Sequence, residues 1–155
     1  LVINHAVADL SFPEVLEELH LGAKADLIAL PRRVRERAVL RGGPVQRGRG
    51  FVLHSRDYFR DDNSIALDRD VCLEAALDVL RAVAFGPAPR QALFALGYCG
   101  WGPNQLEGEL ARNGWLTVPY SEELLFGLPL PERYDAALKA LGITRASLST
   151  TAGHG

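Results

Sequence analysis

One stretch limits the possible folds of this chain more than any other: Gly97-Tyr98-Cys99-Gly100-Trp101-Gly102-Pro103-Asn104-Gln105-Leu106-Glu107-Gly108-Glu109-Leu110. Residues 91–96 before it are a nearly continuous apolar run between Gly86-Pro87 and Gly97, which predicts a buried strand. Gly97, Gly100 and Gly102 admit backbone angles or close approaches that a side chain forbids. Pro103 suits a first helical position, where its missing N–H would be unpaired anyway. A helix over 103–112 is expected, ended by Asn113-Gly114, with 115–118 as the next strand. Gly108 inside that helix costs about 1 kcal/mol against alanine. That cost predicts tight contact with a neighbouring backbone: a helix buried on two sides, with the indoles of Trp101 and Trp115 packed near it.

The rest of the chain supplies the layers. Residues 1–4 read as an apolar strand. Ser11 and Glu14 have capping-box spacing ahead of Phe12, Val15, Leu16 and Leu19, an amphipathic helix stopped by Gly22 in the left-handed cap position. Residues 26–30 are ambiguous, and Pro31 ends them. Residues 38–40 and 51–54 read as strands joined by a hairpin-like connection through Gly42-Gly43-Pro44. Residues 61–63 read as a turn and 64–67 as a strand. Asp68 or Asp70 is expected to cap a helix over 70–83, with Cys72 in its first turn. A helix over 132–141 presents Tyr134, Ala137, Leu138 and Leu141, with Gly142 as its cap. Together these predict one α/β domain over 1–155, or α+β in the alternative. Its architecture is a mixed sheet flanked by helices, with a frayed tail at 149–155.

Charge and composition narrow the chemistry. A net charge of −2 gives no global attraction to nucleic acid or to an anionic membrane. No apolar run approaches the ~20 residues of a membrane span. Two cysteines far apart give neither a disulfide framework nor zinc spacing, and a reducing cytoplasm is expected. The histidines share no ligand spacing, so neither a metal nor a cofactor is expected. The one strong bias is residues 31–49, with seven arginines and a single acid, Glu36. Arg32, Arg33, Arg35 and Arg37 are therefore candidate nucleic-acid contacts, against a solvated connection. The glycine-rich turn at 97–102 carries no Walker lysine, so it reads as a packing turn rather than a phosphate cradle.

The central stretch, with Gly42-Gly43-Pro44-Val45 and Gly50-Phe51-Val52-Leu53-His54, resembles the AlgH/YqgE-type family of bacterial proteins. Leu124-Leu125-Phe126 and the segment from Ala137 to Ile143 fit the same pattern. The resemblance implies a cytosolic α/β protein, described as a transcriptional regulator, and further N-terminal residues including at least one strand. Three features depart from the family: His5-Ala6 follows Asn4 in place of Arg-Pro, residues 24–37 are longer and more basic, and Cys99 replaces a small residue.

Candidate residues follow from both readings. Trp101, Asn104, Gln105, Glu107 and His54 are candidate binding residues, with capping, packing or buried hydrogen bonding as their structural roles. Cys99 lies between a strand and a helix N-terminus, which makes it a candidate redox or nucleophilic thiol. Gly100, however, sits one residue early for a nucleophile elbow, and no catalytic set is assigned. Glu109 and Arg112 are expected to form a surface ion pair of little weight. The leading expectation is a non-enzymatic regulatory or binding protein acting through a protein or small-molecule partner. A thiol-dependent enzyme or sensor at Cys99 and nucleic-acid binding through 32–49 are the alternatives.

Overall fold

A capping box at Ser11 turns the first strand into the first helix. In the computed structural model, which describes residues 1–75 and 77–149, the Glu14 carboxylate accepts from the Ser11 N–H at 2.7 Å. The Ser11 hydroxyl oxygen accepts in return from the Glu14 N–H. This box belongs to the unit Leu1–Cys99, the first of two into which the chain divides; the other is Gly100–Gly155.

The first unit holds β1 (Ala6–Ser11), α1 (Phe12–Glu18), α2 (Lys24–Ile28), α3 (Arg32–Arg35), β2 (Ala38–Arg41), β3 (Val45–Ser55), β4 (Ser64–Ala66), β5 (Val71–Glu74), α4 (Leu77–Phe85) and β6 (Ala92–Tyr98). Its six strands make one mixed sheet in the order β1-β2-β6-β3-β5-β4. Only β2 and β6 run parallel; the other neighbours are antiparallel. Register fixes one face. Val39 pairs with Phe94, Phe94 with Val52, and Val52 with Glu74, so alternate residues of four strands share a side. Phe12, Val15 and Leu16 of α1 and Val79, Leu80 and Val83 of α4 bury against that side, with Phe12 edge-on to Phe94 at 5.9 Å. The mixed sheet with flanking helices is as expected.

Several local expectations fail. The first strand begins at Ala6, not at residue 1; Val2 instead donates to the Gly42 carbonyl at 2.7 Å. His20, at φ 55°, takes the left-handed position assigned to Gly22. The β2–β3 hairpin does not exist, because β6 lies between the two strands. The helix over 70–83 is a strand followed by a shorter helix. Val71, Cys72 and Leu73 pair with Ser55, His54 and Leu53, and α4 starts only at Leu77.

The second unit holds α5 (Gln105–Ala111), a π-helical turn (Glu123–Gly127), α6 (Leu130–Ala140) and α7 (Arg145–Ser149). Gly142 caps α6 at φ 73° as expected, while Tyr134 of its predicted stripe is exposed. Residues 115–118 form no strand, and Pro103 precedes α5 rather than opening it. Residues 150–155 of the expected frayed tail lie outside the described residues, and Ser149 closes α7.

Candidate functional site

Gly97, at the head of the signature stretch, serves a close backbone approach and not a buried helix. Gly97 has φ 74°, and a Cβ on it would stand 2.6 Å from the Gly43 carbonyl oxygen and 2.9 Å from that of Val45. A Cβ on Gly42 would meet the Gly97 oxygen at 2.3 Å, and one on Gly43 would meet the Tyr98 carbonyl carbon at 2.1 Å. The ends of β2 and β6 therefore touch backbone to backbone, and only glycine fits there. Cys99 sits beside this approach, half-buried, with its Sγ 3.8 Å from the Gly42 carbonyl oxygen. That oxygen accepts only, so the contact uses the S–H form and supplies no base. Cys72 lies fully buried in β5, and burial pushes its thiol up.

His54 and Glu74 sit together under the helices. Both are fully buried, with the imidazole Nε2 3.7 Å from the Glu74 Oε2, an ion-pair distance too long for a hydrogen bond. The His54 Nδ1 donates to the Ser55 carbonyl oxygen at 2.9 Å, which assigns the proton to Nδ1 because a carbonyl cannot donate. The Ser64 hydroxyl donates to Glu74 Oε2 at 3.0 Å. Among the described residues, Glu74 Oε1 and His54 Nε2 have no hydrogen-bond partner. Tyr58 packs edge-on to the imidazole at 5.8 Å. Glu74 also lines a cavity of about 310 Å³ between α1, α4 and the sheet, with Val15, Val52, Leu80 and Phe94 as its apolar walls and Glu18 and Arg49 on its lining. Sequence reasoning found His54 but missed Glu74. The pairing of β5 against β3 brings the two together, and a helical reading of 70–83 hides it.

The arginine run does not form one surface. Arg32 pairs with Glu36 at 2.7 Å along α3, and Val34 between the arginines is buried. Arg37 is half-buried and donates from Nη1 to the Ala92 carbonyl oxygen at 2.9 Å. Arg33 and Arg37 line a second cavity, while Arg35 is exposed. Among the described residues no group of three or more His, Cys, Asp and Glu is placed to hold a metal, and no helix is long and apolar enough to cross a membrane.

In the second unit the expected burial of the signature helix is overturned. No residue of α5 is buried, Trp101 and Trp115 are 37% and 48% exposed, and Gly108 meets only the Arg112 side chain. What organises the segment is Glu109. Its carboxylate accepts from the Trp115 indole N–H at 2.5 Å, from the Trp101 indole N–H at 3.2 Å and from the Gln105 amide at 2.9 Å. The indoles meet edge to face at 5.7 Å. Gln105 turns its oxygen back to the Gly102 N–H at 3.0 Å, and Asn104 enters the helix at φ 61°. Glu107 is exposed. The hub escapes sequence reading because Glu109 stands eight residues after Trp101 and six before Trp115, spacings with no helical meaning across a turn.

Glu109 gives this unit an acid response. The Trp115 indole, then Gln105 and Trp101, hold its carboxyl below the usual carboxylate range. A depressed folded value means a contribution present above the unfolded value of about 4.3 and lost as pH falls through the folded one. Tryptophan emission is therefore expected to stay constant through the ordinary carboxylate range and to change only below it. Glu109→Gln is expected to lack that step. A wild-type transition centred at or above the ordinary range would remove Glu109 as the hub.

Comparison with known proteins agrees across the whole chain. A family model described as AlgH-like matches residues 1–146. A UPF0301 protein of Methylobacterium sp. (strain 4-46) is 47% identical over 154 residues, which span 99% of this chain and 73% of the relative. A UPF0301 protein of Sinorhizobium medicae (strain WSM419) is 51% identical over 145 residues, 94% of this chain and 72% of its own length. The solution structure of the AlgH protein from Pseudomonas aeruginosa is similar with a TM-score of 0.74 at 40% identity, over 100% of this chain and 78% of that one.

Proposed function

This chain belongs to the AlgH-like family, and from the cleft in its first unit we propose that it is a non-enzymatic, small-molecule-binding protein whose occupancy has a regulatory output. The observation that carries the reading is Glu74, a fully buried carboxylate whose Oε1 is unpartnered and which lines an apolar cavity of about 310 Å³. A buried acceptor without a donor costs about 1–3 kcal/mol. A ligand that brings an N–H or O–H donor on a short apolar body would recover that cost and fill the walls. The volume is at the small end of the roughly 300–1,000 Å³ typical of ligand pockets. The output inferred from the family resemblance is control of transcription, in the cytoplasm, where the two free cysteines stay reduced.

Three probes with one chain and different heads test this: hexylamine, hexanol and hexanoate, followed by amide chemical shifts of the full chain. Hexylamine and hexanol are expected to shift Val52, Glu74 and Leu80, and hexanoate to leave them unmoved. Glu74→Gln is expected to weaken hexylamine by about tenfold, the loss of a charge-assisted hydrogen bond. Equal binding of all three heads, or no shift at these residues from any of them, would overturn the reading.

A further inference from the structure

Two of the four arginines read as candidate nucleic-acid contacts, Arg33 and Arg37, line a cavity. We infer that this second cavity, walled by α3 and the last turn of α4, binds an oxyanion carried on a compact apolar body, with Arg33 and Arg37 holding the charge. It is independent of the Glu74 cleft and does not rest on that reading.

The cavity measures about 610 Å³ and is lined by Pro31, Arg33, Val34, Arg37, Phe85 and Arg90, together with the turn through Gly86, Ala88 and Pro89. None of its lining residues is acidic. Arg37 is held in place by one arm, since its Nη1 donates to the Ala92 carbonyl oxygen; its Nε is buried and makes no hydrogen bond among the described residues. A guanidinium tied at one nitrogen is pre-oriented for an anion at the others. Burial, and then the charge of Arg33, weaken the hold of Arg37 on its proton. Two like charges brought toward each other at a cavity wall favour an anion between them.

Nearby negative groups are already engaged or too weak. Glu36 pairs with Arg32. Asp57 accepts from the Arg90 backbone N–H and is stabilised by the Arg90 charge, so Arg90 is shared and the inference rests on Arg33 and Arg37. The C-terminal end of α4 faces the cavity and offsets only about half a positive charge. The remaining walls, Pro31, Val34, Val83, Phe85 and Pro89, are apolar. Val34, Val83 and Pro89 are already buried, so the open apolar surface is that of Pro31 and Phe85, and the ligand class is an organic oxyanion such as a carboxylate, sulfonate or phosphate ester whose small hydrophobic body covers the Phe85 ring.

Naphthalene-1-sulfonate and its uncharged counterpart naphthalene-1-methanol, titrated into the full chain at low salt, test the assignment. The sulfonate is expected to shift the amides of Phe85, Gly86 and Ala88, and to bind about tenfold more tightly than the alcohol. Arg37→Gln is expected to abolish the difference, and Arg33→Gln, at an exposed position that leaves the fold untouched, to reduce it several-fold. Inorganic phosphate is expected to compete only weakly. Equal affinity for sulfonate and alcohol, or sulfonate binding unchanged in both arginine variants, would overturn the site. So would a short DNA duplex that binds through Arg32 and Arg35 while leaving the Phe85–Ala88 amides unmoved, because the arginines would then act on the surface.

Discussion

Gly97→Ala is expected to destabilise the Leu1–Cys99 unit by about 2–5 kcal/mol. Two costs combine. At φ 74° an L side chain pays roughly 1–2 kcal/mol for left-handed backbone. The new methyl would also stand 2.6 Å and 2.9 Å from two carbonyl oxygens, of Gly43 and Val45, and 3.3 Å from the Arg47 Cα. All three are backbone atoms, so no rotamer change relieves the clash, and overpacking adds about 1–3 kcal/mol. Gly48→Ala is the control in the neighbouring strand β3, since a Cβ there meets nothing within 4 Å; it is expected to change stability by less than about 0.5 kcal/mol. Gly142→Ala isolates the backbone cost, because φ is 73° but the space is open. Urea denaturation of the three variants checks the order. If Gly97→Ala costs no more than Gly142→Ala, the approach of Gly97 to the Gly43–Arg47 backbone is not a tight contact.

This series also marks what the sequence could show. The need for glycine at 97 was readable, since a strand followed by three close glycines demands unusual backbone. Its partner was not, because Gly42 and Gly43 lie some fifty residues away and meet Gly97 only through the parallel pairing of β2 with β6. Local chemistry was legible wherever both halves sit within one turn, as in the Ser11–Glu14 box and the Gly142 cap. Residues 71–74 misled because Val-Cys-Leu-Glu preceding an alanine-rich helix continues a helical apolar period, and only the β3 register shows them as a strand. The signature helix misled for a related reason. Its glycine and leucines suggested burial, whereas the carboxylate of Glu109, read as a weak partner of Arg112, fixes the two indoles at an exposed position.

The pair His54 and Glu74 is the other place where one change should have a large effect, and here the expected result lies in a cycle rather than in a single variant. Replacing His54 with Leu removes the group facing the Glu74 carboxylate and leaves Ser64 as its one hydrogen-bond partner, fully buried. Leaving a buried polar group short of a partner in this way costs about 1–3 kcal/mol. Glu74→Leu is expected to cost less, because the His54 Nδ1 keeps its hydrogen bond to the Ser55 carbonyl oxygen and Ser64 still accepts from the Arg60 N–H. The double variant His54→Leu/Glu74→Leu should then be more stable than His54→Leu alone, since replacing both partners of a buried polar pair by apolar groups of similar shape is often nearly neutral. That inversion, a second substitution restoring stability, arises only if the two groups are coupled. It also explains why a chain would keep such a pair: if packing were all it supplied, leucines would serve at least as well. The ligand contact proposed for the Glu74 carboxylate beside the cavity would supply what leucines cannot. Denaturation midpoints of the two single variants and the double variant decide this, and losses that simply add would separate His54 from Glu74 and leave the cleft without its anchor.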